Sequence, residues 1–204
     1  MRIGSLTLRL VVFTACMATL SAHAQLLYET NADGVSVTIT GYTNSVPHTL
    51  VIPTNIDGLT VTAIGESALS DLGDLTSVTI PDTVTTIEEA AFAGSGLTHI
   101  TIPYGVTNIG GGAFDDCENL TNAIIPESVT TIGQSGLANT GLFSVTIPAS
   151  VTNFGDSVFA VGESLTNVVI EPGITSLDPN YLFTGNSIAK VTIPASVTNL
   201  LTFA

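Results

Sequence analysis

Beyond residue 24, the side chains whose types could do chemistry are two histidines, His48 and His99, one cysteine, Cys117, and the acids Asp115, Asp116 and Glu118. A nucleophilic thiol needs a base within hydrogen-bond reach to make the thiolate, and a serine needs the same. Neither histidine has a serine or cysteine at a spacing that would build such a pair, and Cys117 has no histidine nearby in sequence, so it reads as a buried, inert thiol. The acid trio suggests calcium, with Asp71 and Asp74 as an earlier counterpart. Calcium, however, wants six to eight oxygens in one cage, and these acids neither recur in later units nor match a known loop. Solvated turn acids are the simpler reading. The sequence therefore predicts no catalytic constellation, no metal site and no cofactor.

The N-terminus has a different logic. Arg2 and Arg9 precede an uncharged apolar run over 10–20, followed by Ser21, Ala22, His23 and Ala24. That order is a secretory signal peptide over 1–24, with cleavage expected after Ala24, because the run is too short to span a bilayer and the small residues suit a signal peptidase. A lipoprotein reading would use Cys16, although Phe13 is a poor residue three places before it. Removal of the leader takes both arginines, moving the net charge from −14 to −16 and leaving Lys190 as the one strong base. Phosphate backbones require a Lys/Arg patch, which excludes nucleic acid as a partner. No later apolar stretch is long enough to cross a membrane. With a single cysteine after the leader, stability must come from packing rather than disulfides.

What positions these residues is a repeat of 22 or 23 residues, clearest as LTSVTIPDTVTTIEEAAFAGSG from Leu75. Copies begin at Leu97, Leu120, Leu142 and Leu165, a shortened copy ends the chain, and a longer one spans about 49–74. In the clearest copy Leu75, Val78, Ile80, Val84, Ile87 and Phe92 are apolar at offsets that recur, so they face one shared core. Val78 and Ile80 are two apart, which is strand spacing, and Ser77 and Thr79 then point to water. Proline at 53, 81, 103, 126, 148, 172 and 194 stops the ladder at the same corner each time. Val84 and Ile87 suggest a second short strand or an extended turn, and the Ala/Glu-rich residues 88–93 suggest one helical turn carrying Phe92 inward. No unit can bury its apolar face alone, so neighbouring units stack with a parallel ladder down at least one side. The fold class is a β-rich repeat solenoid of about seven coils with short helical turns.

The motif L-x-x-V-T-I-P-x-x-V-T-x-I-x-x-x-A-F resembles the BspA-like leucine-rich repeat family, over about 49–204. The resemblance implies a right-handed leucine-rich-repeat superhelix on bacterial cell surfaces and a role in adhesion. The segment with alternating Val35, Val37 and Ile39 is similar to the hairpin that caps the first coil in such proteins, giving 25–48 as an N-terminal cap. The family's cysteine near the end of the unit survives only as Cys117, with Gly94, Asn139 and Thr184 near the matching places. The last copy stops before its Phe turn is complete, which predicts an uncapped coil and self-association through it, or a fragment of something longer.

Stacking turns outward positions into rows. Ser77, His99, Asn122, Ser144, Asn167 and Lys190 form one, and Thr79, Thr101, Ile124, Thr146, Val169 and Thr192 the next. In this architecture exposed strand residues make the contact face. The ligand-binding candidates are Ser77, Thr79, His99, Thr101, Asn122, Thr146, Asn167 and Lys190, with Tyr104 and Phe143 as aromatic contacts beside them. A further row, Thr85, Thr107, Thr130, Thr152, Thr175 and Thr198, suits exposed strands through the β-branch. It also raises ice binding, against which the mixed neighbours Thr86, Asn108, Thr131 and Asn153 argue. The expected function is a secreted or surface-displayed binding module for an extracellular protein, a glycan or another cell surface. The alternative is a structural or self-assembling spacer; an enzyme is not expected.

Overall fold

The computed structural model describes residues 9–10, 25–43, 47–177 and 182–200. Most of the expected leader thus lies outside the described residues, except β1 (Arg9–Leu10), which pairs antiparallel with β2 (Gln25–Thr30). Strand β2 pairs antiparallel with β3 (Ser36–Thr43), which begins a parallel sheet with β6 (Leu59–Ile64). Strand β5 (Asn55–Ile56) folds back on β6 around Asp57 and Gly58, the two extra residues of the long first unit.

From β4 (Thr49–Val51) onward each coil contributes two strands at recurring offsets. The first lines one side: β4 (Thr49–Val51), β7 (Ser77–Thr79), β9 (His99–Thr101), β11 (Asn122–Ile124), β13 (Ser144–Ile147), β15 (Asn167–Ile170) and β17 (Lys190–Thr192). They pair in parallel as β4–β7, β9–β11 and β13–β15–β17, with breaks between. The second strand is β8 (Thr86–Ile87), β10 (Asn108–Ile109), β12 (Thr131–Ile132), β14 (Asn153–Phe154), β16 (Ser176–Leu177) and β18 (Asn199–Leu200). This shorter strand makes the longer sheet, running β3-β6-β8-β10-β12-β14 without interruption. Between the two, proline opens a tight turn: the amides of Val84, Val106, Val129 and Val151 donate to the carbonyls of Pro81, Pro103, Pro126 and Pro148. Proline fixes its own φ and gives up a proton that the corner does not need.

Residues 88–93 are not a helical turn. In that segment alternate amides stay within the coil, Ala91 to Glu88 and Ala93 to Ala90, while those between reach the next coil, Ala90 to Gly111, Phe92 to Ala113 and Gly94 to Asp115. The same alternation recurs in later coils, as in Leu137 to Val158 and Asn139 to Ala160. It requires left-handed backbone twice per coil, at Ala90 and Gly94, Gly112 and Asp116, Ser135 and Asn139, and Ser157 and Val161. A helix this short is marginal on its own, whereas turning half the amides outward adds a third ladder between coils.

The core follows the repeat. Leu75, Val78, Ile80, Val84, Ile87 and Phe92 are all buried, as are their counterparts through Leu165, Val168 and Ile170 apart from the half-buried Ala123 and Phe154. Phe92 stacks on Phe114 with ring centroids 5.3 Å apart, and Phe159 on Phe183 at 5.6 Å, with Leu137 between the two pairs. At the closed side of the turn Gly133 and Gly155 lie against the preceding coil, where an added Cβ would stand 2.5 Å from the Gly111 nitrogen and 2.1 Å from that of Gln134.

Candidate functional site

The groups capable of chemistry do not converge. His48 contacts the Asp74 carbonyl through Nδ1 at 3.0 Å and His99 contacts the Thr98 hydroxyl at 3.1 Å, each exposed and in coils separated by that of β7. Cys117 is fully buried; its thiol donates to the Phe92 carbonyl at 3.1 Å and lies 3.3 Å from the Ser95 hydroxyl. Burial pushes its pKa up, so the nucleophilic thiolate is disfavoured. Its register also corrects the expected counterparts: Cys117 stacks on Ser95, and the same place is filled by Thr140, whose hydroxyl donates to the Leu137 carbonyl, and by Asn186, whose amide reaches Phe159 and Phe183 carbonyls. This is a column that satisfies buried carbonyls, not Gly94, Asn139 and Thr184.

Asp115 is half-buried, and burial followed by the charge of Asp116 raises its pKa. Asp116 instead accepts a hydrogen bond from Asn139 Nδ2 in the next coil. Among the described residues no three His, Cys, Asp or Glu side chains are grouped as ligands for a metal ion.

The broad feature is the face built by the first strands. Register places Thr49 beside Ser77, His99 beside Asn122, and Ser144 beside Asn167 and Lys190. It likewise places Val51 beside Thr79, Thr101 beside Ile124, and Thr146 beside Val169 and Thr192. Thr79, His99, Thr101, Asn122, Thr146 and Lys190 are exposed, while Ser77 and Asn167 are half-buried. Asn167 donates to the Ser144 hydroxyl at 2.9 Å, which ties those two to each other. The candidates thus lie along one strip about 24 Å long, five coil spacings of about 4.8 Å from Ser77 to Lys190, rather than around a pocket.

Tyr104 and Phe143 border this strip on opposite sides, 69% and 63% exposed. Each interrupts a column. Phe143 takes the place filled by Thr76, Thr98, Thr121 and Thr166, whose hydroxyls donate to carbonyls of the preceding coil. Tyr104 follows Pro103 where Asp82 follows Pro81 and Glu127 follows Pro126. Two apolar residues outside the expected set also belong to the strip: Val51, 64% exposed, and Ile124, 53% exposed. Aligning TLVIP at residue 49 with SVTIP at residue 77 is the signal that places Val51 outward.

The Thr85 row has a different role. Thr85, Thr107 and Thr130 donate their hydroxyls to the carbonyls of Thr62, Thr85 and Thr107 at 3.2, 3.4 and 3.1 Å. These hydroxyls are committed to the backbone, which removes them from the uniform array that ordering ice would need.

A family model for the BspA type leucine rich repeat region matches six copies over residues 48–165 and 86–204. Among solved structures, a leucine rich repeat protein of T. pallidum is 28% identical, with a TM-score of 0.71, covering 86% of this chain and 78% of that one. A leucine rich cell surface protein of Faecalibacterium prausnitzii is 21% identical over 91% of this chain and 73% of its own, with a TM-score of 0.47. No curated protein matches the sequence. The stacked two-strand coils with a proline corner, and the family match across 48–204, show that this chain belongs to the BspA-type leucine-rich-repeat proteins.

Proposed function

We propose that the chain is an exported, surface-displayed or secreted binding module whose first-strand face holds an extracellular protein. The observation that carries this reading is the pair of aromatics, Tyr104 and Phe143, which break the columns they occupy and stand exposed on either border of a strip that also exposes Val51 and Ile124. Large exposed aromatics flanking an apolar and hydroxyl-bearing surface are what interface centres are made of. Export rests on the leader pattern of residues 1–24, and fold alone does not fix the ligand. The test is a binding screen against extracellular-matrix proteins and polysaccharides, run with wild type and with Thr79→Lys/Thr101→Lys/Thr146→Lys. Binding to a protein that the variant loses supports the face; binding only to polysaccharide changes the ligand class; binding unchanged in the variant refutes the site.

A second reading is a self-associating spacer. Val191 in β17 and Ile193 just after it are exposed, at 45% and 47%, where the equivalent Val168 and Ile170 are buried by a following coil. Concentration-dependent assembly in sedimentation, abolished by Val191→Lys and Ile193→Lys, would favour it; a monomer at all concentrations would remove it.

A further inference from the structure

The sequence holds seventeen acids against three Lys and Arg, yet no acid occupies an outward position of the first-strand face. His99 and Lys190 are the titratable side chains there, and the rest are Thr, Ser, Asn, Val and Ile. Five of the seventeen instead stand on its two borders, Asp82, Glu127 and Glu171 on one and Glu118 and Glu163 on the other. On the proline-corner border Asp82 and Glu127 flank Tyr104 in consecutive coils, and the Gly105 backbone packs directly on the Asp82 carbonyl, where an added Cβ would stand 2.1 Å away. Two coils on, Glu171 comes within hydrogen-bonding reach of Glu127, bringing two carboxyl groups together. On the other border Glu118 and Glu163 line one shallow depression, two coils apart.

Resting on the face reading above, we infer that the partner is a polypeptide whose contact surface has an uncharged middle, matched to this strip, and Lys or Arg side chains on its flanks. The strip holds no carboxylate and, away from Lys190 in its last coil, no strong base, so a charged centre in the partner would be desolvated unpaired. The borders offer carboxylates at the wet rim, where they cost little to use and speed encounter. Beside Tyr104 a guanidinium would find an aromatic face and carboxylates in the adjoining coils, the combination that Arg uses best. A partner basic throughout would leave its central charges unmatched, and an acidic one would be repelled from both borders.

The experiment is a selection of displayed random peptides on the full chain, followed by affinity measurements with the enriched peptides. Apolar or hydroxyl-bearing cores with Lys or Arg flanks are expected. Their affinity should fall about tenfold on Asp82→Asn/Glu127→Gln, and again from low to physiological ionic strength. The control Glu66→Gln/Asp156→Asn removes the same charge away from the borders and should change affinity little. Enriched peptides without basic flanks, lost in the lysine-substituted face but indifferent to the border acids, overturn this inference and leave the face reading standing. Peptides indifferent to the face substitutions overturn both. Equal losses in the two charge pairs would mean general attraction to an acidic protein and overturn the inference, as would a selection that enriches no basic-flanked peptide.

Discussion

Thr85, Thr107 and Thr130, which precede the second strands, and Thr79, Thr101 and Thr146, on the first-strand face, share a residue type, a 22- to 23-residue period and exposure to water, but not their hydrogen bonding. Each hydroxyl of the former set donates to the carbonyl of the equivalent residue one coil back, alongside its own backbone amide. Those of the latter set stand outward, paired across the strands with Val51, Ile124 and Val169. One side of the solenoid spends its polar groups on holding coils together, and its sheet runs unbroken from β3 to β14; the other has a sheet broken into shorter pieces and a surface open to contact. Periodicity in a solenoid therefore marks either stitching or recognition, and the offset from the strand decides which.

The largest expected effect lies beneath both sides. Phe114 is fully buried and stacked on Phe92, so Phe114→Ala should cost about 3–5 kcal/mol in urea unfolding, through lost contact and the cavity left behind. A loss under about 1 kcal/mol would mean that the coils collapse around the gap and that the aromatic stack matters little.

Next in size is strain at the turn that links the two sides. Val161 is β-branched and sits at φ 57, where the equivalent places hold Asp71, Gly94, Asp116 and Asn139. Asn tolerates the left-handed region that a β-branched residue resists, so Val161→Asn should raise stability by about 1 kcal/mol, read from the unfolding midpoint. Destabilisation instead would give Val161 a packing role.

The smallest effect concerns the border acids. The Glu127 pKa is raised, by hydrogen bonding to Glu171 and then by its charge. A carboxyl whose folded pKa lies above its unfolded value of 4.5 favours folding more as pH falls through the folded pKa, and is a penalty at neutral pH. Glu127→Gln should therefore raise the melting temperature slightly at pH 7, an advantage that vanishes below the unfolded value. Asp33 has the opposite sign: the Ser36 hydroxyl, then the Val35 and Ser36 amides, hold its pKa below 3.8, and its contribution is lost as pH falls through the folded value. A melting temperature for Glu127→Gln that tracks wild type at every pH would show the two glutamates to be independent.

Much of this was legible in the residues themselves. Alternation at Val78 and Ile80, the recurring proline and the fixed offset of Phe92 are direct consequences of strand geometry and of a shared core, and each appears as read. The turn at residues 88–93 was not legible, because its Ala and Glu content has helical propensity and the competing bonds go to a coil about a repeat away. Left-handed backbone at Ala90, Ser135 and Ser157 carries no glycine to announce it. The column through Cys117, Thr140 and Asn186 is hidden for a related reason: three different side chains each donate to a backbone carbonyl, which a comparison of residue types does not reveal. The strip itself follows from its period, but the commitment of the other threonines to backbone carbonyls depends on the side of the strand at which each hydroxyl meets the preceding coil.

The central division between stitching and recognition is tested most directly by urea unfolding of two triple variants, Thr85→Val/Thr107→Val/Thr130→Val and Thr79→Val/Thr101→Val/Thr146→Val. Valine keeps the β-branch and removes only the hydroxyl. The former should lose about 1–3 kcal/mol in total and the latter less than about 0.5 kcal/mol in total. Equal losses in the two variants would contradict that division, because the face threonines would then be holding the fold together as well.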